Sequence, residues 1–493
     1  MSGALAGEVA DIAVVGSGPN GLAAAVMLAR AGLGVTVYEG ADVPGGGCRT
    51  SEVTLPGFRH DVCSAVHPLL SVSRFFRSVD LDRRGVRLLH SPVVLAHPLD
   101  GGRAAVLRRS LDDTAAGLGI DARKYRRLLS PLVGDCEGIL SSVLAPLRSA
   151  PRSPVGMARF GLIGLFPASD LVRQFRTDEA RALFGGAAAH SMRPLRSPLT
   201  GSFALLFTML GHATGWPIVE GGSARIADAL IAELTDYGVE VVTERWVRDL
   251  GDIRAGRATL LDVSTTQLVS MAANRLGPRA RRGFRRFRYG PGVCKVDWAL
   301  SGPVPWTAPA CREAGTVHVC GTFEEVALSE LEVSAGLHPE RPFCIVAQPG
   351  VVDSSRAPDG RHTLWAYCHV PPGSTLDMTD RIETQIERFA PGFRDLVMAR
   401  TATTAWESEM HNPNHFGGDI GGGVATLRQT VFRPRVSWNP YRTGIDGVYL
   451  CSAATPPGAG VHGLCGYWAA RTVLKDLRIP AASESWQRVQ ETG

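Results

Sequence analysis

The chain has 493 residues, 45% of them hydrophobic and 20% charged, with a formal net charge of +5. That length allows two or more domains and a core large enough to enclose a cofactor. A mild charge with no recurring basic, aromatic-interleaved face argues against nucleic-acid binding, and no apolar run reaches the roughly 18 residues of a membrane-spanning helix.

The first organised stretch is 11–49. A β-branched run at Ile12–Val15 predicts a strand, and Gly16, Gly18 and Gly21 follow it in G-x-G-x-x-G spacing. An Ala-rich helical pattern runs to about Ala31, and a second apolar run, Val35–Tyr38, ends in Glu39. Gly16 lets the chain turn sharply, Gly18 leaves its backbone open to a pyrophosphate, and Gly21 allows the helix to pack close to the strand. Pro19 and Asn20 lie at the same turn, where the free N–H groups and positive dipole end of the helix face phosphate. Glu39 is placed to accept hydrogen bonds from a ribose hydroxyl pair and would repel a 2′-phosphate. Gly45, Gly46 and Gly47 then imply a second close approach of backbone to cofactor, and Arg49 offers a fork for a phosphate oxygen.

With these residues in view, the stretch resembles the two-dinucleotide-binding-domain flavoproteins, in which a GG-x-x-R-like motif follows the fingerprint. Among them it is similar to the phytoene-dehydrogenase-like branch, with its carotenoid desaturases, retinol saturases and pyridine-nucleotide-disulphide-oxidoreductase-domain proteins. The resemblance implies bound FAD and an α/β fold, a Rossmann-like FAD-binding domain joined to a discontinuous α+β substrate domain. The FAD-binding domain is expected at 8–75, 216–292 and 443–480, the substrate domain at 76–215 and 293–442, and a C-terminal tail at 481–493.

The ten cysteines form no C-x-x-C pair, which disfavours a zinc ribbon or a dithiol redox motif and predicts a reducing compartment. No basic residue precedes Arg30, so no secretory signal is expected. The expected location is the cytoplasm, with membrane association as an alternative.

After Arg49, turns and short strands lead to His67, which either borders the flavin ring or is an ordinary loop histidine. Residues 76–215 read as helices broken by Pro and Gly, with 3.6-residue periodicity over 112–147. Two apolar segments, 155–171 and 199–210, are either plain core helices, the lining of a long apolar tunnel, or a surface that rests on a membrane. A glycine pair, Gly221 and Gly222, opens a helix at 224–237, followed by a strand at 239–242. By resemblance, the chain beyond that strand passes the adenine with its backbone, which puts Val247 at the cofactor. Seven arginines in 275–288, interleaved with Phe284 and Phe287, read as a solvated helix or as a site for anionic lipid or an anionic partner. From Val293 the texture changes to strands between Gly and Pro turns, predicting a mostly antiparallel sheet over the substrate cavity with a helix at 380–389 beside it. One or two of Trp298, Trp306, Trp365, Tyr367 and Trp406 are expected to face substrate.

The stretch 447–470 reads as strand, Gly- and Pro-rich loop, and helix. It resembles the closing motif of carotenoid desaturases, with Ser452 in place of the usual glycine and Ala453 where many flavoproteins place an acid. The resemblance puts Ser452, Ala453, Gly460, Val461 and His462 at the flavin, with the helix start aimed at the side of the ring that becomes negative on reduction. His462 is the candidate catalytic acid or base, with a purely packing role as the alternative. No metal cluster is expected, and a separate NAD(P)H site is unsupported because only one fingerprint is present. The implied activity is hydride transfer between a carbon of an apolar, polyene- or isoprenoid-like substrate and flavin N5, in a monomer or homodimer. A flavin amine oxidase is one alternative; it would want an aromatic pair and a lysine relay, and the C-terminal loop supplies neither. A non-catalytic FAD protein that binds a lipid or a partner is the other.

Overall fold

The computed structural model describes residues 10–146 and 149–480, so the expected tail at 481–493 and most of the N-terminal decapeptide lie outside the described residues. A five-stranded parallel sheet forms in the order Val448–Leu450, Ala258–Leu261, Ile12–Val15, Val35–Tyr38, Glu240–Val242. The central strand is buried on both faces, as its unbroken apolar run requires. On one side the helix Pro19–Ala29 packs between Ala224–Asp236 and Leu464–Asp476. Pro19 at its start and small alanines along it permit that crowding: a Cβ at Gly466 would lie 1.8 Å from the Asn20 carbonyl. The other face is covered by Leu268, Met271, Phe284 and Phe287 from Thr265–Met271, Pro278–Arg285 and the chain after it.

A second, seven-stranded sheet runs in the order Val397–Thr403, Gly292–Leu300, His362–Val370, Cys344–Ala347, Ala314–Val319, Val93–Leu99, Arg103–Leu107. It is antiparallel except where Ala314–Val319 meets Val93–Leu99. The pleat gives this sheet two unlike faces. Val296, Trp298, Val317, Val346, Leu364 and Ala366 pack against Ile382, Ile386 and Phe389 of the helix Thr379–Phe389, whose apolar residues recur at helical spacing. The alternating residues, Lys295, Asp297, Thr316, His318, Trp365, Tyr367 and His369, belong to the opposite face.

The helical reading of 76–215 needs one correction. Val93–Leu99 and Arg103–Leu107 are paired strands joined by Asp100-Gly101-Gly102, both glycines with positive φ. The stretch 112–147 is not one helix but Leu111–Ala116, Ala122–Gly134 and Cys136–Val143, interrupted at Gly119, whose φ is 56°. The apolar segments become Pro154–Gly164, Ala168–Val172 and Thr200–Ala213. Among the described residues no helix is long and apolar enough to cross a membrane, and all ten cysteines are free.

Candidate functional site

The fingerprint turn is built against the end of a neighbouring strand. Gly16 has φ of 94°, and a Cβ there would stand 2.9 Å from the Asp262 carbonyl. Gly21 donates its N–H to Asp262 Oδ2 at 2.8 Å, and a Cβ on it would lie 2.0 Å from the Gly16 carbonyl. Glu39 accepts from the Ser17 and Ala41 N–H groups, both at 2.9 Å, so its carboxylate is fixed at the tip of its strand. The second glycine loop stacks on the first, because a Cβ at Gly46 would be 2.8 Å from Gly18 Cα. Arg49 donates to the Gly46 carbonyl at 3.1 Å and meets His411 Nε2 at 2.9 Å.

These loops form one end of a single cavity of about 1250 Å³. Gly16, Gly18, Pro19, Asn20, Glu39, Gly46, Gly47, Arg49, Val247, Ser452, Ala453, Gly460 and Val461 all line it. Two of the expected residues do not. Gly21 is used in packing the helix on the turn. His462 is fully buried behind the loop, its Nδ1 accepting the Leu464 N–H at 3.0 Å and its carbonyl accepting from the Ser73 hydroxyl. Burial pushes its imidazole down to about 4. The structure therefore gives His462 the task of holding the start of Leu464–Asp476, and the catalytic expectation has no geometry behind it. The helix start is likewise set back: the loop reaches the cavity wall through Gly460 and Val461, not through Leu464.

The far end of the cavity is an apolar chamber. Met157, Phe160, Gly164 and Leu165 come from and just beyond Pro154–Gly164; Leu199, Phe203, Leu206 and Phe207 share one face along Thr200–Ala213. Of the readings open for these segments, the structure realises the lining of a chamber. Trp216, Ile345, Ala347, Trp365 and Tyr367 close it from the side of the large sheet. The wall's charged residues, Glu39, Arg49, Arg245, Arg248, Asp262, Asp419 and Arg433, all sit in connecting segments outside the two helices and the large sheet.

Buried polar groups brace the joint between the two ends. Arg356, about 1% exposed, bridges Asp61 at 2.7 Å and Asp353 at 2.9 Å. His67 reaches Ser223 at 3.0 Å, and Ser223 in turn donates to the Ser64 carbonyl, so His67 donates from Nε2. Burial pushes its imidazole down to about 4. Asp262 is the outlier among the carboxyls: burial, with the charge of Glu39 adding to it, pushes it up to about 7 against the Gly21 bond.

Two residues near the chamber, Lys295 and His190, escaped the sequence reading. Lys295 pairs with Asp297 at 2.5 Å and sits 5.4 Å from the Trp365 ring centre. Trp365 and Tyr367 stack with centroids 5.8 Å apart and planes 15° from parallel. An aromatic pair and a lysine are thus present in the sheet, although absent from the C-terminal loop. The two rings are too close to admit a substrate between them, so they present a flat wall and no cage. His190, the other, follows the last turn of Asp178–Ala189 and forms part of the chamber wall. Trp365 and Tyr367 are two of the aromatic residues expected to face substrate, and both line the wall; the alternation of Thr316 and His318 was read only as strand texture.

Residues 14–79 match the NAD(P)-binding Rossmann-like domain family. The chain is 25% identical to pyridine nucleotide-disulfide oxidoreductase domain-containing protein 2 of Rattus norvegicus, over 95% of this chain and 94% of that one. It is 26% identical to hydroxyneurosporene desaturase of Cereibacter sphaeroides, over 95% and 98% of the two chains. Cyclohexylamine oxidase from Brevibacterium oxydans shares the fold, with a TM-score of 0.60 over 95% of this chain and all of that one at 14% identity. The chain is thus similar along nearly its whole length to a pyridine nucleotide-disulfide oxidoreductase domain-containing protein and to a hydroxyneurosporene desaturase, and it shares its fold with an amine oxidase.

Proposed function

We propose that the chain is an FAD-dependent oxidoreductase that moves a hydride between a carbon of an apolar, polyene- or isoprenoid-like substrate and flavin N5. The observation that carries this reading is the continuity of one cavity from the glycine cradle to the apolar chamber. Its volume, about 1250 Å³, exceeds that of a usual small-ligand pocket and leaves room for a dinucleotide and a substrate together. The cradle suits a dinucleotide: a Cβ at Gly18 would lie 2.8 Å from Asp262 Oδ2, one at Gly46 would lie 2.8 Å from Gly18 Cα, and Asn20 Oδ1 is buried without a partner at the helix start. When bound, FAD supplies a ring able to take up or return a hydride.

The chain's own residues bind, orient and exclude water. Glu39 holds the ribose end and the backbones at Gly18 and Gly46 flank the diphosphate. Val247 and the 452–461 loop complete the enclosure. The helices Pro154–Gly164 and Thr200–Ala213 keep the chamber dry, so a substrate C–H bond can be held at about 3 to 3.5 Å from its acceptor without competing water. An amine substrate is disfavoured because no carboxylate belongs to the chamber helices or the large sheet's share of the wall.

Substrate enters from a lipid surface. Leu165, Leu427 and Val431 line the cavity and are about half exposed, and Val155, Leu162 and Phe166 beside them are 71%, 69% and 59% exposed. The test is spectroscopic. The purified protein should be yellow, and an isoprenoid substrate should bleach its flavin bands under anaerobic conditions. A colourless protein that cannot be loaded with FAD refutes the reading.

A further inference from the structure

The chamber wall on the side of the large sheet is more polar than a hydrocarbon substrate requires. Thr316, Ala347 and Trp365 form one cross-strand row, and His318, Ile345 and Tyr367 form the next. Thr316 Oγ1 and Trp365 Nε1 are buried without a hydrogen-bond partner, and the Tyr367 hydroxyl has none among the described residues. Leaving such groups against hydrocarbon is costly.

The protonation pattern of the adjoining histidines follows from their contacts. His97 Nε2 lies 2.7 Å from the Gly321 carbonyl, which can only accept, so His97 carries its proton there and its Nδ1 is bare. His318 Nδ1 faces the same glycine as that bare nitrogen: a Cβ at Gly186 would be 2.5 Å from His318 Nδ1 and 2.8 Å from His97 Nδ1. Neither Nδ1 has a hydrogen-bond partner there. His318 Nε2 lies 3.0 Å from His190 Nε2, so one of the two rings donates to the other. His190 Nδ1 takes no part in that bond; its ring stacks on Phe207 at 4.4 Å, and the residue forms part of the chamber wall. Burial keeps His190 and His97 neutral, at about 3 and about 4.

We propose that His190 and Tyr367, with Thr316 and Trp365 beside them, form a subsite for a hydroxyl group on an otherwise apolar, uncharged substrate such as a terpenoid alcohol. A hydroxyl can both donate and accept, so it matches His190 Nδ1 in either tautomer and the Tyr367 hydroxyl as well. A hydrocarbon does neither. A carboxylate or an ammonium would meet no unpaired counter-charge here, because Lys295 and Asp297 beside these residues are paired with each other. The inference deepens the proposed function and rests on its reading of the chamber as the substrate site.

The test uses the flavin-loaded protein with farnesol, its hydrocarbon counterpart farnesene, and farnesylamine. Binding is followed by quenching of tryptophan fluorescence, since Trp216 and Trp365 are in the wall. Two added hydrogen bonds predict that farnesol binds about tenfold more tightly than farnesene, and more tightly than farnesylamine. Tyr367→Phe and His190→Phe should each cut that preference by about threefold. If His190→Phe does not fold, Tyr367→Phe and Thr316→Val carry the test. Equal binding of farnesol and farnesene, a preference untouched by the variants, or tighter binding of farnesylamine overturns the subsite. Loss of flavin from Tyr367→Phe does so too, because the hydroxyl would then serve the cofactor. Flavin present with no preference for the alcohol sinks the subsite alone, whereas a protein that takes up no flavin sinks the underlying function with it.

Discussion

Replacing Asp262 by Asn should stabilise this protein, and the size of the gain should depend on pH. The carboxyl stands at the end of Ala258–Leu261, buried against the glycine turn, with one oxygen accepting the Gly21 N–H at 2.8 Å. Burial and the nearby Glu39 raise it from the ordinary 3.8 to about 7. Between those two values the folded protein holds a proton that the unfolded chain has released. Stability therefore falls as pH rises through the window, and the full cost is present above pH about 7. A rise of about three pH units, at about 1.4 kcal/mol for each, sets that cost at about 4 kcal/mol as an upper bound. Asparagine keeps an oxygen for the Gly21 N–H and removes the charge. Thermal melts of both proteins from pH 4.5 to 8.5 should show nearly equal Tm at the acid end and a variant several degrees more stable at the alkaline end. The same change removes a negative charge beside the two glycine turns, so, on the proposed function, ADP should bind severalfold more tightly at pH 8. A Tm difference independent of pH, or a variant less stable at pH 8, would show that Asp262 is ionised at little cost and that the reasoning is wrong.

Three further outcomes are expected. Gly46→Ala, whose Cβ would stand 2.8 Å from Gly18 Cα at a φ of 57°, should abolish flavin retention while leaving the circular dichroism spectrum unchanged; retention of flavin would mean the two glycine loops do not form the cradle. Arg356→Met leaves Asp61 and Asp353 buried without their cation, and should cost about 3 to 5 kcal/mol, read as a clear fall in Tm. His462→Gln should lower Tm yet leave the pH dependence of flavin reduction between pH 5 and 8 unaltered, since burial already holds this imidazole at about 4; a lost inflection in that range would restore it as an acid or base.

Local chemistry made the dinucleotide half of the site readable. The run Ile12–Val15, three spaced glycines, an alanine-rich helix and Glu39 each favour the same local conformation, and they span fewer than about 30 residues, so no distant contact is needed to interpret them. The hairpin from Val93 to Leu107 was legible in principle, through Asp100-Gly101-Gly102, but Pro98 within the first strand weakened the strand signal. Helix boundaries in 112–147 and 155–171 were blurred because apolar periodicity continues across breaks made by Gly119 and Pro167.

Sequence alone determined the fold class, the glycine-rich turns with Glu39 at the tip of its strand, and the strands of the large sheet from Val293 onward, because these depend on residues within one or two elements of each other. Tertiary structure decided the rest. His462 was a candidate acid or base, with packing as the alternative, and the turn folds it inward onto a helix end. His190, from a helix, meets His318 from a strand 128 positions away, and Tyr367 joins them through a cross-strand row. Which face of a strand looks into a chamber, and which helix closes over it, depends on packing between distant segments, and no local pattern encodes that choice.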